Sequence, residues 1–207
     1  MEKPSGYIAL FDSSVLFPVF GSNLLLFLAE RQLFKVKWSK DIHTEWINSR
    51  MKRYPSSDRA ALERKRDRMN QEFEEAMVIG YEPLITNLPL EDLNDRHVLA
   101  AAIKCAADVI VTENVRHFPA SILAPLGLFS QTADDFIADQ IGVTPESKRM
   151  VAIAIVRHKM SLTKSRLNWR SYFDELSKKL PHSFAELNDQ QFKLTIAEVL
   201  INREWQF

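Results

Sequence analysis

The sequence has one cysteine, Cys105, and only five glycines and nine prolines among 207 residues. A single thiol excludes an internal disulfide framework and a cysteine-rich zinc site. Cys105 sits in an alanine-rich helical stretch and reads as a small core residue rather than a nucleophile. So little glycine and proline excludes a fibrous or low-complexity chain. No run approaches the roughly 20 apolar residues that span a bilayer. Residues 1–6 carry Glu2 and Lys3, without a long apolar stretch ending in a small-residue cleavage site. The expectation is a cytoplasmic protein with no membrane contact. Excess charge of one sign is missing too, because 27 Lys and Arg balance 27 Asp and Glu. A passive binder of duplex DNA would carry net positive charge. A nuclease need not, since the carboxylates of its own site cancel bases elsewhere. The bases are unevenly spread, crowding residues 50–68 and 157–170.

What is present is a regular alternation of strand and helix patterns. Residues 7–11, apolar on both faces, stop abruptly at Asp12-Ser13-Ser14, which suits a buried parallel strand. Residues 16–30 have helical period, with Gly21-Ser22-Asn23 as a cap before Leu24. Residues 34–38 alternate with period two, and Ser39 caps a helix carrying Asp41, Glu45 and Ile47. Ser56-Ser57-Asp58 opens a long helix to residue 77, followed by a loop and short strand over 78–85 and a turn over 89–94. Residues 97–107 form an alanine-rich helix suited to close packing on a sheet. Residues 108–112 are the clearest strand, 126–129 another, and Thr132 to Asp135 cap a short helix. This alternation predicts an α/β layered domain with a mostly parallel central sheet over residues 1–142. Residues 143–207 read as a helical extension packed on it, with helices over 145–160, 165–179 and 189–204. Thr144 is its first N-cap and Pro145 its first helical residue. Trp169, Tyr172, Phe173, Leu176 and Leu180 recur there at the spacing of a core-facing stripe.

In a parallel sheet with helical crossovers, ligands bind outside the carboxyl ends of the strands. Asp12 stands at such an end, and Glu45 in the first turns of the helix after the second strand. Asp95 begins the alanine-rich helix, and Glu113 and Asn114 follow the strand over 108–112. These chain-distant positions map to one edge of the sheet. Hard divalent cations take carboxylate and water oxygens, and carboxylates gathered in one cleft repel unless cations offset them. A metal-bound water then becomes a hydroxide-like nucleophile toward a phosphodiester. No Cys or His cluster points to zinc instead. Each residue also has a plainer reading: Asp12 and Asp95 as helix caps, Glu45 as a surface glutamate, Asp92 as a turn former.

The segments Ala9 to Leu16 (ALFDSSVL), Trp38 to Glu45 (WSKDIHTE), Leu90 to Ala102 (LEDLNDRHVLAAA) and Val109 to Pro119 (VIVTENVRHFP) resemble the PIN-domain family. The resemblance is greatest to the VapC-like branch, described as the toxin component of bacterial toxin–antitoxin systems, and covers about residues 7–141. It implies a three-layer α/β/α fold, Mg²⁺- or Mn²⁺-dependent endoribonuclease activity on RNA, frequent homodimerisation, and a small antitoxin that inserts into or covers the active site. It places the first acidic ligand on Asp12, the helix glutamate on Glu45 and the third acid on Asp95, with Asp92 at an acidic position common in the branch. The last segment departs from the family pattern. Asn114 stands where an aspartate or asparagine is usual and His117 where many members have an aspartate, so the fourth ligand is Asn114, a shifted Glu113, or missing. The Thr112 hydroxyl is a candidate to hold Asp12 or a bound water, and Ser13 or Ser14 to meet a phosphate at a helix start. Arg96, Arg116 and His117 flank the acids as candidate RNA phosphate contacts.

Metal-dependent hydrolysis of single-stranded RNA is the leading reading. A weakened PIN-like module that binds RNA or a protein without cutting is the second, favoured by the missing fourth acid. A flap-cutting DNA nuclease comes third, because the extra acids and helical arch of that class are not seen in the sequence.

Overall fold

The computed structural model describes residues 6–141, 144–163 and 167–206. The expected domain boundary at 142–143 and the expected helix start at Ser165 lie outside the described residues. The chain divides into two compact units, one of residues 6–19 and 35–132, the other built mainly from residues 20–34 and 133 onward.

The first unit is built on a sheet of β1 (Ile8–Phe11), β2 (Lys35–Ser39), β3 (Met77–Val78), β4 (Val109–Val111) and β5 (Phe129–Gln131). All its pairings are parallel, in the order β3-β2-β1-β4-β5. The chain moves one way from β1 to β3, then returns across the sheet to β4 and β5. Right-handed crossovers therefore place α3 (Lys40–Arg53) and α4 (Arg59–Glu72) on one face. The same rule sets α5 (Arg96–Lys104) and α6 (Ala120–Leu123) on the other. The result is the three-layer α/β/α architecture of a PIN-like domain. Its strand order reverses between β1 and β4, and the first residues past those strands are Asp12 and Thr112. Asp12 caps the short helix α1 (Ser13–Leu16).

Packing follows the side chains. Residues 98–102 of α5 are fully buried, and their alanines let the helix approach the sheet closely. Beneath α3 and α4 lies a polar network. The indole N–H groups of Trp38 and Trp46 donate to Asn70 Oδ1 (2.9 Å) and His43 Nδ1 (2.9 Å), and His43 Nε2 lies 3.1 Å from the same Asn70 oxygen. Nδ1 accepts, so Nε2 carries the proton, and burial pushes the His43 pKa down to about 4.

The structure corrects several sequence expectations. Gly21 to Asn23 do not cap a helix but lie inside α2 (Val19–Glu30), which starts earlier. Helix α4 ends at Glu72 rather than residue 77, because Met77 and Val78 pair with Trp38 and Ser39, and sheet pairing overrides the helix-forming composition. The strand expected over 126–129 sits at Phe129–Gln131, preceded by Gly127, whose φ of 70° turns the chain into it. Cys105 is half-buried at the C-cap of α5 rather than in the core.

The second unit contains most of α2, with α7 (Ala133–Ile141), α8 (Pro145–Ser161), α9 (Trp169–Lys179), α10 (Pro181–Leu187) and α11 (Gln190–Ile201). Thr144 and Ser147 form a reciprocal capping box at the start of α8. Helix α10, not foreseen from the sequence, is nucleated from outside: the Asp134 carboxylate accepts the N–H groups of His182 and Ser183 (2.8 Å each). The Arg149 guanidinium joins α8 to Glu198 (3.4 Å) and to Glu204. At the core the Tyr172 hydroxyl is hydrogen-bonded to His158 Nδ1 (2.9 Å), and the Phe20 ring meets the imidazole edge-on.

Burial alone pushes the His158 pKa down to about 4. An unfolded histidine titrates near 6.5, so between those values only the unfolded chain takes up the proton. The stability His158 contributes is therefore complete above about pH 6.5 and drains away as the pH falls toward 4, by about 3 kcal/mol in all. Denaturation followed across this range should show a shallower acid loss in His158→Gln than in the wild type; identical pH profiles would contradict the assignment.

Candidate metal centre

Every residue of the site belongs to the sheet unit. Asp12 is only 3% exposed, yet it carries a carboxylate. Three donors hold it: Ser13 N–H on Oδ1 (2.6 Å), and the hydroxyls of Ser14 (2.7 Å) and Thr112 (2.8 Å) on Oδ2. Those hydroxyls are oriented in turn. Glu113 N–H donates to Ser14 Oγ (2.9 Å) and Asn114 N–H to Thr112 Oγ1 (3.0 Å), which leaves each hydroxyl proton to point at Asp12. The loop after β4 is thus fastened to the start of α1 through the acid itself.

Glu45 is half-buried on α3, with Oε1 2.8 Å from His97 Nε2. Burial disfavours a charged His97, but the hydrogen bond to Glu45 and the negative charges of Glu45, Asp41 and Asp12 outweigh it and raise the pKa. Asp41 is a residue that sequence reasoning passed over. It accepts the Tyr81 hydroxyl (2.8 Å) and stands four residues before Glu45 on α3. That spacing was the available signal, since it sets both carboxylates on one helix face.

Asp95 ends the 3-10 turn Leu93–Asp95, which Asp92 caps by accepting Asn94 N–H (2.9 Å). Its Oδ2 lies 2.7 Å from His117 Nδ1, and Asp92 Oδ2 lies 3.8 Å from the same nitrogen. Asp92, Asp95 and His117 each offer one donor atom, and the donor atoms all lie within 4.8 Å of one another. Burial pushes the Asp95 carboxyl up, and the charges of Asp92 and Asp12 add to the shift against the opposing pull of His117. The Asp12 charge is therefore felt both at Asp95 and at the histidine that holds Glu45.

The donor chemistry fits a divalent cation. Two ligands at about 2.1 Å and a right angle stand about 3 Å apart, close to the spacing of Asp95 and His117. A hydrogen bond now joins those two atoms, and a metal bound by both would displace it. The remaining sequence candidates are placed differently. Asn114 and Glu113 are exposed, and their backbone N–H groups hold the hydroxyls of Thr112 and Ser14. Arg96 is used structurally, with Nε and Nη2 donating to the Leu90 carbonyl (3.2 and 3.1 Å) and bracing the turn that leads to Asp92. Arg116 is exposed beside His117. The role of His117 beside the acids, rather than only as a phosphate contact, is the point that the sequence pattern left out.

No protein-family model and no solved structure matches the chain. Over 81 residues, 39% of its length, the chain is 40% identical to the Mycobacterium tuberculosis protein described as "Putative ribonuclease VapC50". The match spans 47% of that relative, about half of its length. This likeness bears out what the chain's motifs indicate: the chain resembles the VapC-like branch of the PIN-domain family.

Proposed function

We propose that the chain is a metal-dependent endoribonuclease, the toxin of a toxin–antitoxin pair, with Asp12, Glu45 and Asp95 as its catalytic acids and Asp92 and His117 beside them. The observation that carries this reading is the three-donor cluster of Asp92, Asp95 and His117 lying in the field of the buried Asp12 carboxylate. The partial likeness to a ribonuclease-named protein supports it. Bound there, Mg²⁺ or Mn²⁺ supplies an activated water and positive charge for the phosphorane-like transition state. The chain's own residues hold the geometry. Ser13, Ser14 and Thr112 fix both oxygens of Asp12, His97 holds Glu45, and His117 steadies Asp95. In this reading exposed Arg116 meets a phosphate of the RNA. An antitoxin that covers this edge, and a second copy of the chain, are the partners in this reading.

Asp12→Asn removes a ligand charge while leaving an oxygen for the three donors. Cleavage of a single-stranded RNA in Mn²⁺ should fall by about a hundredfold or more, with the far-UV spectrum unchanged. Full activity in that variant would refute the assignment.

His117 gives the donor set a nitrogen, which suits Mn²⁺ better than Mg²⁺. Calorimetry should find tighter binding of Mn²⁺, and His117→Asn should weaken it by about tenfold while moving Mg²⁺ little. Electron spin-echo spectra of the Mn²⁺ form should show coupling to nitrogen that the variant loses. Equal weakening for both ions, or none, would remove His117 from the set. A second reading, an RNA- or protein-binding module that does not cut, is favoured by Asn114 standing exposed where a fourth ligand would be; no calorimetric signal with millimolar Mn²⁺ would select it.

A further inference from the structure

The last turn of α3 carries a basic and aromatic patch that the acidic site does not use. Arg50 Cζ stands 4.4 Å from the Tyr54 ring centroid and 5.7 Å from that of Phe17, and Arg53 Cζ stands 5.3 Å from Tyr54. The Phe17 and Tyr54 rings are stacked, 6.4 Å apart and 17° from parallel. Tyr54, at 42% exposure, presents an aromatic surface to solvent. Among the described residues, the ion pairs of α3 and α4 engage Glu45, Arg59, Arg64 and Arg66, not Arg50 or Arg53. Positive charge is in local excess. Burial, together with the charges of Arg50 and Arg68, pushes the Lys65 pKa down to about 8.

Basic residues at a helix C-terminus favour its dipole, and that accounts for Arg50, Lys52 and Arg53 as charges. It does not account for guanidinium groups held over two stacked rings, one of them exposed. That combination is what unpaired nucleic acid meets in a binding track: bases stack on aromatic or guanidinium planes while cations follow the phosphates.

The patch also shares two helices with the acidic site. Helix α1 begins at its cap Asp12 and ends at its cap Phe17. Helix α3 carries Glu45 and, five residues on, Arg50, a rise of about 7.5 Å. The two helices pack together. Each therefore leads from a candidate catalytic acid to a member of the patch.

We propose that Phe17, Arg50, Arg53 and Tyr54 form a single-strand RNA subsite next to the cleavage centre, with bases stacked on the rings and phosphates on the guanidinium groups. The proposal deepens the nuclease reading and rests on it for the identity of the ligand. Its test needs no cleavage. Binding of a fluorescein-labelled oligouridylate is followed by anisotropy in the presence of a chelator. Tyr54→Ala should weaken binding about fivefold or more, and Tyr54→Phe should retain it. Arg50→Ala with Arg53→Ala should flatten the slope of log K against log salt by about 1.4. No binding by the wild type, or unchanged affinity and slope in these variants, would overturn the subsite. So would a parallel loss of binding to polyglutamate, which has charge but no bases and would mark a surface for an acidic protein. Failure of the nuclease reading gives a different result: oligouridylate binds through the patch, but is not cut when Mn²⁺ is supplied.

Discussion

A carboxylate with almost no access to solvent cannot remain charged unless something replaces its hydration. At Asp12 the replacement is local and complete enough to define the site. One backbone N–H comes from α1 and two hydroxyls come from opposite sides of the β1–β4 junction. Those donors meet only because Phe11 pairs with Val111 in parallel register. A slip of one residue would turn Thr112 to the other face of the sheet. The sheet register, the fastening of the loop after β4 and the position of the first acid are thus one constraint.

Around that acid Glu45 and Asp95 are each steadied by a histidine rather than by an arginine. His97 meets Glu45 and His117 meets Asp95, whereas Arg96 is spent on the Leu90 carbonyl. An imidazole suits such a place because it holds a carboxylate by a single directed hydrogen bond and can exchange its proton for a metal ion. An arginine would leave a permanent positive charge beside those carboxylates. The other two buried histidines, His43 and His158, do opposite work. Burial keeps them neutral, as hydrogen-bonding members of the two cores.

Much of this was legible from local pattern. The buried strand ending at Asp12, the Ser39 cap before the helix of Glu45, and the alanine face of α5 follow from period and capping chemistry within a few residues. Where reading failed, the deciding contact lay far away in the chain. The end of α4 depends on Met77 pairing with Trp38, and α10 on the Asp134 carboxylate reaching His182 and Ser183. No local pattern encodes a partner about forty or fifty residues distant.

The amino-acid sequence by itself determined an α/β chain with a parallel sheet, and which acids stand at its strand ends and helix starts, because hydrophobic period and caps are short-range properties. Only the tertiary structure decided which side chains stand beside those acids. Asp95 meets a histidine 22 residues away and Glu45 one 52 residues away. Such pairings depend on how crossovers bring helix starts and loops to one edge of the sheet, which is a property of the packed layers and not of any stretch of sequence.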